Sequence, residues 1–212
     1  MPERITALIV QNGNVYAEGL SPATEALQAY WRDRAAHEEA TRTLLTPVIT
    51  QFQYTHGARD PDHLEPDACT LDQHFLELPG RDQVMLDLFY GYGANVESYP
   101  RWQAYLREHR PPALVVWGQN DPLFTVDGAT AFRRDVPDAE IHLLDTGHFA
   151  LEEDDAEIAA HIRRFLLENV ADSTRTREEG DRHATCRKGC ARDGQHVGNR
   201  PRDCRGIRPR GG

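Results

Sequence analysis

Three short apolar runs constrain this chain more than anything else in it. Ala113-Leu-Val-Val-Trp117 is followed by the turn formers Gly118-Gln-Asn-Asp-Pro122, and Ile141-His-Leu-Leu144 by Asp145-Thr-Gly-His-Phe149. A third run, Ile5 to Val10, opens the chain and breaks at Gln11-Asn-Gly-Asn14. Continuous rather than alternating runs of this length suit parallel strands covered on both faces. Loops at the ends of such strands are where ligands bind and catalytic groups concentrate. An acid, Asp121, and a base, His148, each stand on such a loop, 27 residues apart.

Between the first run and the other two the pattern is helical. Leu27, Tyr30 and Trp31 recur at i, i+3 and i+4, and Leu44, Leu45, Val48, Ile49 and Phe52 continue the spacing, so helices are expected from Ser21 to about Gln53. Residues 55–70, rich in Asp, His, Pro and Gly, read as a long loop. Leu71 to Leu78 and Gln83 to Tyr92 read as two helices parted by Pro79-Gly80, and a separate helix is expected after Asn95, through Trp102, Tyr105 and Leu106, ending at Pro111-Pro112. A helix begins near Ala129. The last runs from about Asp155 to Leu167, with Ile158, Ile162, Phe165 and Leu166 on one face and acids gathered at its positive end.

Two phrases, Val116-Trp-Gly-Gln-Asn-Asp-Pro122 and Asp145-Thr-Gly-His-Phe149, resemble those of α/β-hydrolase-fold enzymes, on the branch of haloalkane dehalogenases and epoxide hydrolases. The resemblance covers roughly residues 2–168 and corresponds to the C-terminal half of such an enzyme. It implies that Asp121 is the acid and His148 the base of a catalytic triad, and family triads run nucleophile, acid, base along the chain. The nucleophile is expected before both, yet there is no Gly-x-Ser-x-Gly or Gly-x-Asp-x-Gly elbow, and serines stand only at 21, 98 and 173. The opening run looks like the strand that follows the nucleophile helix, so the resemblance places the nucleophile, an Asp or Ser, upstream of Met1.

The implied architecture is a partial α/β-hydrolase fold: a core strand in 1–20, an inserted helical cap over 21–95, the rest of the core over 96–170 and a disordered basic tail over 171–212. The function it implies is hydrolysis of a small haloalkane, epoxide or ester. The rival reading is a non-catalytic remnant or a small-molecule or partner-binding protein. Cap tyrosines or tryptophans polarise an epoxide oxygen or hold a halide in that branch, which brings Trp31, Tyr54, Phe89, Tyr90 and Tyr92 forward. No cofactor is expected.

Asn-Asp-Pro is also a strong turn former, and a lone loop histidine is often satisfied by backbone. Order, spacing and strand context together favour the acid-base pair. Asp121 would accept the imidazole N–H and fix the tautomer, leaving the other nitrogen to take a proton from water. Asn12, at the end of the first strand, is a candidate polar pocket residue as well as a turn former; Phe124 and Phe149 are candidates for an apolar pocket wall and for plain core packing.

Net charge is −10, unevenly spread: the first 171 residues hold 13 Lys+Arg against 28 Asp+Glu, and the remainder 11 against 6. An acidic body repels phosphate, so nucleic acid is not an expected partner. There is no long apolar run and no secretory signal pattern, so no membrane association is expected and the expected location is cytoplasmic. After Asp172 only Val197 and Ile207 are large aliphatics, too few to offset the ordering of forty residues. Arg, Gly, Pro and Ala are all encoded by GC-rich codons, so the tail reads either as a frame-shifted extension or as a real basic one. His183, Cys186, Cys190, His196 and Cys204 lie in it at spacings irregular for zinc, and no metal site is assigned. The first strand would expose an apolar edge, through which oligomers are expected.

Overall fold

A computed structural model provides the structure of the chain and describes residues 4–170. The expectations for residues 171–212, disorder and the Cys/His cluster included, lie outside the described residues. Three strands, β1 (Leu8–Gln11), β2 (Ala113–Gly118) and β3 (Glu140–Leu144), form a parallel sheet in that order. β1 is shorter than the apolar run from Ile5 suggests: it holds its register with β2 from Leu8↔Ala113 to Gln11↔Val116.

All six residues of β2 are buried, which is why its sequence is a continuous apolar run. Alternate side chains serve opposite faces. Ala113, Val115 and Trp117 pack with Tyr16, Leu106, Ala129 and Phe132 on one side; Leu114 and Val116 join Leu144, Ile158 and Phe165 on the other. Leu114, Val115, Val116 and Trp117 are inaccessible to solvent. Burial of side chains of this size contributes roughly 1.5–3 kcal/mol each, so β2 anchors both layers.

The helices of the two layers are α6 (Val126–Asp135), between β2 and β3, and α7 (Leu151–Asn169), after β3. Non-helical dihedrals at Asp154 mark a kink in α7, one residue before the start expected from sequence. The long connection from β1 to β2 contains α1 (Glu25–Arg32), α2 (Arg34–Arg42), α3 (Pro47–Thr55), α4 (Pro66–Leu76) and α5 (Arg81–His109). The Asp33 side chain accepts from the Ala36 N–H at 3.1 Å, capping α2 and separating it from α1.

Two expectations need correction. The region 55–70 is not all loop, because Pro66 occupies the first turn of α4, where its missing N–H leaves no bond unmade. The helices expected on either side of Asn95 are one 29-residue helix, α5. Gly91, Gly93 and Asn95 are weak helix formers and read as a break, but a Cβ at Gly93 would stand 3.0 Å from the Trp31 side chain. The glycine there lets α1 approach α5 rather than ending the helix. Residue 95, the expected end of the inserted helices, lies inside α5.

Candidate active site

Because the strands are parallel, their C-terminal ends share one edge of the sheet, and each contributes one residue to a single cluster. Asn12 directly follows β1, Asp121 stands three residues past β2, and His148 four past β3. Asn12 adopts φ 43°, a left-handed conformation that Asn tolerates better than most side chains. Its N–H bonds the Val116 carbonyl at 3.2 Å, extending the ladder by one residue.

The Asp121 carboxylate is buried and saturated with donors. Oδ1 accepts the backbone N–H groups of Leu123, at 2.7 Å, and Phe124, at 3.0 Å. Oδ2 accepts Asn12 Nδ2, at 2.6 Å, and His148 Nδ1, at 2.9 Å. The Asn-Asp-Pro turn therefore does more than reverse the chain: it folds its own amides onto the acid. Asn12 is itself held, its Oδ1 accepting from the Gly118 N–H at 3.0 Å and from Gln11 Nε2 at 2.7 Å, which leaves its Nδ2 for Asp121. With the acceptor-only carboxylate on Nδ1, the proton sits there and Nε2 is the nitrogen left for proton transfer.

The loops that hold this pair touch directly. A Cβ at Gly118 would collide with the carbonyls of Thr146 and Gly147, and one at Gly147 with the carbonyl of His56. Asn120 Nδ2 donates to the Gly57 carbonyl, at 3.0 Å, and to Asp145, at 2.9 Å. Those amide hydrogen bonds, Asn120 first and Gln119 after it, hold the Asp145 carboxyl below its usual range. The turn after α3 is thus seated on both loops, and Arg59 ties it to the start of α7 through Asp154 at 2.9 Å.

His148 lines a cavity of about 520 Å³ beneath α1, α3 and α5. Leu27, Ile49, Phe52, Leu88 and Phe124 are among its walls, and none of the lining residues is Asp, Glu, Lys or Arg. Of the two expected pocket aromatics, Phe124 lines this cavity with its ring edge to His148, centroids 5.5 Å apart. Phe149 stacks on Tyr54 at 4.4 Å and lines the neighbouring cavity instead.

Most polar groups on the walls are committed. Trp31 Nε1 donates to the Phe89 carbonyl at 2.7 Å, and the Tyr92 hydroxyl pairs with that of Tyr99 at 3.2 Å. Tyr54 donates to Asp72, at 2.6 Å, and Tyr90 lies outside this lining. Gln53, on α3, is the side-chain amide there with no such bond; nothing in its local sequence distinguished it from any helical glutamine. Neither serine among the described residues is hydrogen-bonded to His148: Ser21 Oγ donates to the Pro122 carbonyl and Ser98 Oγ to that of Ala94.

A parallel α/β sheet that presents a carboxylate-imidazole pair and an asparagine at the carboxyl edge, under a layer of helices, defines a class of hydrolase scaffold. The chain belongs to the alpha/beta hydrolase fold family, which it matches over residues 2–155. It is 37% identical over 173 residues to an uncharacterized hydrolase of Saccharomyces cerevisiae, covering 79% of this chain and 60% of that protein. It is 24% identical to a 2-hydroxy-6-oxononadienedioate/2-hydroxy-6-oxononatrienedioate hydrolase of Burkholderia vietnamiensis, covering 79% and 54%. Among solved structures, a 2-hydroxy-6-oxo-6-phenylhexa-2,4-dienoate hydrolase from Rhodococcus superposes with TM-score 0.60 at 17% identity, covering 78% of this chain and 56% of that one. An esterase from Thermogutta terrifontis does so with TM-score 0.56 at 21%, covering 79% and 57%. These structural likenesses establish the fold, and the chain spans about 60% or less of the length of each of these proteins.

Proposed function

We propose that this chain carries the acid and base of an α/β-hydrolase triad, with Asp121 orienting His148 and His148 activating water or a nucleophile toward a substrate in the apolar cavity. The observation that carries this reading is the 2.9 Å bond from His148 Nδ1 to a buried, four-fold hydrogen-bonded carboxylate, beside a cavity that His148 itself lines. Asp121 would also stabilise the imidazolium that forms during turnover. The nucleophile would come from residues outside these 212. The helices α1–α4 and the first part of α5 act as the cap.

Of the bonds considered, the ester or other acyl bond is favoured over the haloalkane and the epoxide. Halide and epoxide chemistry draws on free N–H or O–H donors in the cap; here Trp31 and Tyr54 spend theirs within the protein, and the Tyr92 hydroxyl is paired with that of Tyr99. A wall without ionised side chains suits an uncharged substrate, since an unpaired charge is costly to bury. Gln53 would orient its one polar group. The substrate is a small molecule rather than nucleic acid or membrane. No helix among the described residues is long and apolar enough to cross a membrane.

The test is a panel of p-nitrophenyl esters, epoxides and haloalkanes offered to the 212-residue chain and to a protein extended upstream to include an elbow. The chain alone is expected at background, because removing a triad nucleophile lowers the rate on the order of a millionfold. The extended protein should cleave the esters and lose this on His148→Ala. Turnover by the 212-residue chain that His148→Ala abolishes would mean a nucleophile lies within it. An extended protein that binds apolar esters without cleaving them would establish the binding-protein reading instead.

A further inference from the structure

Away from the carboxyl edge of the sheet, Glu140 and His142 of β3 meet His161 of α7. Residues two apart on a strand share a face, and Leu144, two further on, packs on that face with Ile158 and Phe165 of α7. The imidazoles of His142 and His161 stack with centroids 3.7 Å apart and planes 30° from parallel. One donor atom from each of the three side chains lies within 4.8 Å of the other two, and all three residues are half-buried. His142 Nε2 is hydrogen-bonded to Glu140; His161 has Glu157 3.7 Å from its Nε2, beyond hydrogen-bond length.

We propose that Glu140, His142 and His161 form a binding site for a divalent transition cation of the zinc and nickel class. Two imidazoles and one carboxylate are the donors that borderline cations prefer, whereas calcium and magnesium prefer all-oxygen sets. With metal–nitrogen bonds of about 2.0–2.1 Å, neighbouring donors of one ion stand roughly 3 Å apart, so the His142 and His161 rings must splay from their stack to close on it. Arg164, paired with Glu140, is the competing cation. It also bonds Glu168 at 3.0 Å, one turn along α7, so it can release Glu140 without losing every partner. A cluster held only by the Glu140–Arg164 pair would account for the acid and the guanidinium. It would not account for two stacked imidazoles, one without a hydrogen bond. The ion would clip β3 to α7, the elements on either side of residues 145–150, and so brace the loop that carries His148.

The experiment is calorimetric titration of NiCl2 into the 212-residue chain with Cys69, Cys186, Cys190 and Cys204 replaced by Ser, which removes all four thiols. One Ni2+ per chain should bind with a rise in thermal midpoint, more weakly as pH falls and protons compete for the imidazoles. His142→Ala and His161→Ala should each weaken binding at least tenfold. Arg164→Gln, which removes the competing charge, should tighten it several-fold. Paramagnetic Ni2+ should broaden the ring signals of His142 and His161 first. Should the alanine variants unfold, His161→Gln and Arg164→Gln decide in the same way. Undiminished affinity in the His161 variants, Arg164→Gln binding no tighter than its parent, or broadening centred on His183 and His196 overturns the proposal.

Discussion

At the scale of single residues, Asn12 binds the site together. It touches the acid, the Gly118 amide and, at 3.5 Å, the Gly147 carbonyl, so one side chain spans the ends of all three strands. Asn12→Ala should leave the buried Asp121 Oδ2 one donor short, a loss of about 1–3 kcal/mol measurable by chemical denaturation. Asn12→Asp should be worse, because two carboxylates would then face each other at hydrogen-bond distance. In both variants the Nδ1 proton signal of His148 should broaden as the loop loosens. Variants with wild-type stability and an unchanged Nδ1 signal would show that Asn12 is only a turn residue.

At the scale of elements, a buried network couples the segment after β1 to α5 and α6. The Tyr16 hydroxyl donates to Asp135 at 2.9 Å, Arg107 bonds the other carboxylate oxygen at 2.7 Å, and the Arg134 guanidinium lies 4.9 Å from the Tyr16 ring centroid. Burial first, and the Asp135 carboxylate second, push the Tyr16 phenol well above its ordinary value. A raised folded-state pKa means that this contribution is fully present below about pH 10, where the free phenol titrates, and is lost as pH rises beyond it. Tyr16→Phe should therefore destabilise by about 1–3 kcal/mol near neutrality, with the gap to wild type narrowing above pH 10. A gap that stays constant with pH would contradict this.

Among the described residues β1 pairs on one side only, and Ile9 is 37% exposed. Unpaired apolar edges recruit other chains. Sedimentation should show self-association that Ile9→Lys reduces, and a monodisperse wild-type monomer would exclude this route. The strands were legible because burial on both faces leaves unbroken apolar runs. That Asp121 and His148 meet was legible from their strand-end loops and from the two phrases that resemble the family's. Gln53 and the Glu140–His142–His161 cluster were not: each depends on helices meeting strands or a cavity at distances that no local pattern records. The same holds for Gly93, whose meaning is fixed by Trp31, sixty-two positions earlier.

At the scale of the molecule, both faces of β2 are covered and the candidate site sits where the α3–α4 turn rests on the strand-end loops. Helix α5 has one further consequence, for recombination. Its 29 residues form one helix that rises about 44 Å, with Pro100 inside it. A designer exchanging substrate preference between relatives would look for a seam near residue 95, where the glycines thin the helix signal. Cutting there splices two halves of one rod, and any mismatch in length rotates everything beyond it by about 100° per residue. The natural joint is Gly80, with φ 78°, ahead of α5, so a graft that ends there keeps the rod of its host.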